Sequence, residues 1–113
     1  MDKVISTITS LGVPGLVLLI AIGASGLSGA AAITFALSSI GPGGILGGIA
    51  FLGVLSVISN AVTEYGFEAI LKGVLNEFYA QGESKESIIR KINSYPFTEG
   101  LKIKLRATIN GAE

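Results

Sequence analysis

The sequence predicts an all-α fold organised as an integral membrane helical hairpin with a small amphipathic helical tail, and three observations carry that expectation. From Val4 to Thr63 there is no Asp, Glu, Lys or Arg, and every ionisable side chain except Asp2 and Lys3 follows this stretch. Charged residues make up 14% of the chain, against roughly 25% in soluble globular domains. Sixteen glycines are present, most of them within the uncharged stretch. One membrane-spanning helix needs roughly 20 predominantly apolar residues at about 1.5 Å rise each. The uncharged stretch therefore holds two spans and a connector. The division that follows is a Gly-rich transmembrane hairpin at residues 1–63, led by a short amphipathic helix, and a helical cytoplasmic tail at residues 64–113.

The first element is a helix over residues 2–11, with Val4, Ile5, Ile8 and Leu11 on one face, Ser and Thr opposite, and Asp2 as its cap. Gly12, Pro14 and Gly15 then mark a break, because proline removes a backbone donor and crowds the preceding turn. From Leu16 the run LVLLIAI is bulky, after which the chain turns abruptly to Gly, Ala and Ser. A signal peptide is disfavoured here, since Asp2 sits beside Lys3 and Ser6, Thr7, Thr9 and Ser10 interrupt the apolar run.

Small residues recurring along the uncharged stretch let membrane helices approach closely, so Gly23, Gly26, Gly29, Gly43, Gly44, Gly47 and Gly48 are the expected helix-packing positions. The cluster Gly41-Pro42-Gly43-Gly44 is the strongest turn signal, and a second span follows from Ile45 to about Val62. A first segment that re-enters the membrane, broken at Gly23 to Gly29, satisfies the same residues if protein covers its freed backbone.

After Glu64 the pattern changes. Phe67, Ile70, Leu71, Val74, Leu75 and Phe78 form a full apolar helical stripe, with Glu64, Glu68, Lys72, Asn76 and Glu77 on the other side. Glu68 and Lys72 are spaced as an i, i+4 pair, and Gly82 supplies a left-handed stop. Ser84 caps a shorter helix whose apolar face is Ile88, Ile89, Ile92 and Tyr95, with Glu86 spaced to pair with Arg90 and Pro96 ending it. The last segment, LKIKLRATI, alternates like a strand from Leu101 to Ile109, yet Leu101, Leu105 and Ile109 also align on a helix. A single strand has no partner here, so a short helix capped by Thr98 is favoured.

Several functions are excluded by what the sequence lacks. Without histidine or cysteine there is no imidazole base, no thiolate and none of the common zinc sites. The Gly-rich segments have neither a phosphate-binding lysine nor a preceding strand, so no nucleotide fingerprint is met. No cofactor and no enzymatic activity are expected. The formal net charge is zero, so no basic surface points to nucleic acid. The spans carry no ionisable group for a proton or ion relay. Their hydroxyls, Ser25, Ser28, Thr34, Ser38, Ser39, Ser56 and Ser59, either return hydrogen bonds to helix carbonyls or line an oligomeric pore.

The stretch GLSGAAAITFALSSIGPGGILGGIAFLGVL, residues 26–55, resembles small Gly/Ala-rich membrane proteins of the interferon-inducible small hydrophobic type, and it is similar to bacterial holins and pore-forming peptides. The resemblance implies membrane perturbation and carries over no functional residue.

Two functional classes are open on these grounds. One is an oligomeric membrane effector that permeabilises the bilayer through Gly-packed helices. The other is a membrane-anchored adaptor whose tail docks a cytoplasmic protein or anionic lipid through Phe67, Leu71, Val74 and Phe78, or through the basic row Lys102, Lys104 and Arg106. In both, the partners are the lipid bilayer and further copies of the chain. The Lys and Arg that follow the second span place the tail in the cytoplasm.

Overall fold

The structure, a computed structural model, describes residues 1–23, 31, 50–95, 97 and 99–112. Its described residues form helices joined by short turns, with no strand among them. Helix α1 spans Asp2–Ser10, α2 Val13–Gly23, α3 Ala50–Tyr65, α4 Phe67–Ala80, α5 Lys85–Ser94 and α6 Glu99–Gly111.

The joints follow local backbone chemistry. Asp2 does not cap α1: Met1 is the N-cap, and Asp2 sits in the first turn, where its charge favours the positive end of the helix dipole. The Gly12 to Gly15 break occurs as expected. Gly12 takes φ +73° and donates its N–H to the Thr9 carbonyl at 3.0 Å, which closes α1. Pro14 then lies in the first turn of α2, where a missing donor costs nothing. The turn from α3 to α4 is made by Gly66 alone, at φ +89°, a conformation that only glycine adopts without strain. Gly82, at φ +100°, provides the expected left-handed stop after α4.

Ser84 caps α5 reciprocally: its Oγ accepts from the Ser87 N–H at 3.0 Å, and the Ser87 Oγ accepts from the Ser84 N–H at 2.8 Å. At the other end Tyr95 is extended, as the residue before a proline must be, and its ring stacks on Phe97 at 5.2 Å. The ambiguous last segment is a helix, and the helical alignment explains it. Leu101, Leu105 and Ile109 are buried, whereas Ile103, which strand alternation would place with them, is 58% exposed. Thr98, its expected cap, lies outside the described residues.

The arrangement of the helices departs from the expected hairpin at residues 12–62. Among the described residues no helix is long and apolar enough to cross a membrane. The bulky run after Pro14 forms α2, described to Gly23; the rest of the expected first span and the Gly41-Pro42-Gly43-Gly44 turn lie outside the described residues. Helix α3 covers the described part of the expected second span, Ile45 to about Val62, whose first five residues lie outside the described ones. It is described from Ala50, runs through Glu64 to Tyr65, and has Asn60 and Glu64 exposed.

Instead, α2 is the hub of a helical bundle. Every other described helix touches it. A helix that is apolar on all sides needs an apolar surround, and here that surround is protein. The buried cluster runs from Ile8 to Ile109 and crosses the division expected after Thr63, so α4, α5 and α6 share one core with α1 and α2.

Candidate functional site

The feature that distinguishes this bundle is its centre and the way that centre is covered. From Leu16 to Ile22 every side chain of α2 is at most 2% exposed, including Leu16 and Leu18 on opposite sides of the helix. Each fully buried Leu or Ile contributes about 1.5–3 kcal/mol by leaving water, so this segment is a dominant source of stability. The cover is amphipathic. Helix α1 presents Ile8; α4 presents Ile70, Leu71, Val74, Leu75 and Phe78; α5 presents Ile88 and Ile92; and α6 presents Leu101, Leu105 and Ile109.

The stripe expected to dock a partner is therefore occupied from within. Leu71, Val74 and Phe78 are buried in the core and Phe67 is half-buried, so the chain itself uses the surface assigned to an adaptor's partner. The physical reason is that an unpartnered stripe of this size on α4 and the unpartnered sides of α2 satisfy one another.

Three glycines set how closely the cover approaches. A Cβ on Gly15 would land on the Ile8 carbonyl oxygen and lie 3.1 Å from the Leu11 Cβ, so α1 and α2 meet backbone to backbone. A Cβ on Gly73 would collide with the end of the Ile5 side chain, which rests on α4 at that point. A Cβ on Gly23 would enter the Phe67 ring. The close neighbour of Gly23 is thus an aromatic ring of α4. Gly26, Gly29, Gly43, Gly44, Gly47 and Gly48 lie outside the described residues. Sequence reasoning missed Gly15 and Gly73 as contact points. The available signal was energetic, because a glycine inside a helix costs about 0.5–1 kcal/mol relative to alanine and Gly73 interrupts an otherwise regular amphipathic helix.

Polar contacts fasten the covering helices. Neither of the expected i, i+4 pairs, Glu68 with Lys72 and Glu86 with Arg90, closes among the described residues; the ion pair that forms joins Lys91 to Glu83. Glu83 also accepts from the Ser87 Oγ at 2.6 Å. The Lys91 ammonium and the Ser87 hydroxyl together hold the Glu83 carboxyl below the usual carboxylate range. A depressed folded value means that the unfolded chain takes up the proton first as pH falls. This contribution to stability is therefore complete above the ordinary value of 4.5 and is lost as pH drops through the folded value. Glu83→Gln is expected to flatten the acid limb of stability below that pH, by a small amount because the pair is solvent-screened. Urea midpoints measured across the acid range check this, and an unchanged acid slope would refute it.

The basic row does not act as one surface. Lys102 Nζ donates to the Asn93 carbonyl at 3.2 Å, and Arg106 Nη1 donates to the Asn93 Oδ1 at 2.8 Å. Both side chains thereby close the carboxyl end of α5, where cations are favoured. Lys104 is exposed on another side of α6. No sequence signal pointed to Asn93, because its partners lie on a different helix.

Among the described residues no group of three or more His, Cys, Asp or Glu converges to hold a metal ion, and no buried side-chain nitrogen or oxygen lacks a hydrogen bond. A cleft of about 640 Å³ opens between α4 and α6, and is lined by Phe67, Glu68, Leu71, Lys72, Ala107 and Gly111. Comparison with protein-family models, with curated proteins and with solved structures found no match to this chain.

Proposed function

We propose that the chain is a membrane-active effector that keeps its insertion segment inside a water-facing helical bundle and perturbs the bilayer when the cover opens. The observation that carries this reading is the burial of α2, apolar on every side, beneath helices whose own outer faces are polar. Hydrocarbon is as apolar as a leucine core, so α2 exchanges one apolar surround for another at little cost. The amphipathic α1, α4, α5 and α6 exchange theirs by lying in the membrane interface.

In the bilayer-bound form the uncharged stretch supplies the transmembrane hairpin at residues 12–62. The Gly-rich positions Gly26, Gly29, Gly43, Gly44, Gly47 and Gly48 pack helices within a homo-oligomer, and the charged tail remains on the cytoplasmic side. Of the two surfaces open to an adaptor, the α4 stripe is already covered within the chain, which leaves that reading the basic residues of α6 alone.

The approach of Ile5 to Gly73 provides a reversible test. The chain has no cysteine of its own, and an ideal Cβ on Gly73 lies 3.2 Å from Ile5 Cγ1. The double variant Ile5→Cys/Gly73→Cys therefore places two thiols where a disulfide ties α1 to α4. The reduced protein is expected to release dye from lipid vesicles and the oxidised protein to release at least about thirtyfold less, since a disulfide resists opening by about 2–4 kcal/mol. Equal release in both states would show that the cover need not open. Absence of release from the wild-type protein at any lipid ratio would end the membrane-active reading.

A further inference from the structure

The chain is neutral as a whole, but its charge is unevenly placed. Six of its eight Lys and Arg lie in α5 and α6, where they meet only Glu86 and Glu99 within those helices. The preceding helices carry Asp2, Glu64, Glu68 and Glu77 against Lys3 and Lys72. The α5–α6 pair is thus the cationic end of a polarised molecule.

Asn93 organises part of that charge. Lys102 and Arg106 converge on it from α6, and Arg90 lies one helical turn before it on α5, exposed on the same side. Asn93 is neutral, so its carbonyl and Oδ1 hold two cationic heads in place without cancelling their charge. Among the described residues none of Arg90, Lys102 and Arg106 has a carboxylate within ion-pair distance. Beside Lys102 stands Ile103, which at 58% is the most exposed large apolar side chain among the described residues. An apolar side chain standing proud among cations matches an anionic lipid surface, where the charges meet headgroups and the aliphatic group enters the acyl boundary.

We propose that the α5–α6 face formed by Arg90, Asn93, Lys102, Ile103 and Arg106 is the docking surface by which the folded bundle first binds an anionic membrane leaflet. This rests on the membrane-active reading, to which it adds the lipid class and the contact face. Flotation of the intact protein with vesicles of phosphatidylcholine, with and without phosphatidylserine, tests it, with dye release followed in the same samples.

The wild-type protein is expected to float with the anionic vesicles and to lose them as salt shortens the screening length from about 10 Å at 0.1 M to about 3 Å at 1 M. The variant Arg90→Gln/Lys102→Gln/Arg106→Gln keeps hydrogen-bond donors at these positions, and is expected to bind on the order of a hundredfold more weakly, roughly fivefold per charge. Ile103→Ser, an exposed change that leaves the core intact, is expected to lose roughly tenfold. Unchanged circular dichroism and unfolding midpoints certify that both variants are folded.

Equal binding to neutral and anionic vesicles, or triple-variant binding equal to wild type, would overturn the docking face. Retention by an RNA oligonucleotide without flotation would overturn it in favour of a different polyanion. Flotation without dye release keeps the docking face and removes the membrane-active reading. Dye release that is equal on both lipids keeps the reading and removes the docking face.

Discussion

Gly15→Ala is expected to destabilise the folded chain by about 3 kcal/mol, a large share of the 5–15 kcal/mol that holds a domain of this size together. The added methyl would meet the Ile8 carbonyl oxygen and carbon, which are backbone atoms and cannot rotate aside, so α1 must lift away from α2. Lifting α1 exposes Ile8 and the flank of α2 that it covers. The same substitution at Gly53 has the opposite sign. Nothing lies within 4 Å of a Cβ there, the position is inside α3, and relief of glycine's entropy cost should stabilise by about 0.5–1 kcal/mol. Urea denaturation of the two variants beside wild type decides the matter. A Gly15→Ala protein as stable as wild type would mean that α1 and α2 do not meet backbone to backbone.

Leu19→Ala is expected to cost about 3–4 kcal/mol in aqueous buffer, the range for removing a fully buried leucine and leaving a cavity. In a chain of this length that lowers the melting temperature by roughly 10–15 °C. Ile103→Ala, on the exposed side of α6, should change stability by less than about 0.5 kcal/mol. The contrast separates a segment that packs against protein from one that meets only lipid. If α2 faced detergent or lipid alone in the purified protein, Leu19→Ala would pass without measurable cost. In that case the stability of α4, α5 and α6 would be independent of α2 as well.

These two substitutions mark where reading the sequence and seeing the structure diverge. Local signals resolved the helices themselves. The apolar stripe of α4, the Ser84 cap, the Gly82 stop and the break at Gly12 to Gly15 are all properties of residues within a few positions of one another, and backbone sterics and capping decide them without reference to the rest of the chain. The last segment needed one further step. Leu101, Leu105 and Ile109 fit both helix and strand periodicities, and absence of a strand partner favoured the helix that is present.

What the sequence by itself determined is that the chain is helical, that it has neither histidine nor cysteine, and that Leu16 to Ile22 must be kept from water on all sides. It left undecided what keeps them from water, because lipid and a ring of amphipathic helices satisfy an all-apolar helix equally well. That choice belongs to tertiary structure. The stripe of α4 and the faces of α1, α5 and α6 are complementary to α2, and their union buries both sides of the interface in one step. Gly15 and Gly73 acquire their importance only through that union, as does Asn93, whose cationic partners come from the following helix. A contact between elements distant in sequence is a property of the assembled bundle, and the local chemistry of either element does not contain it.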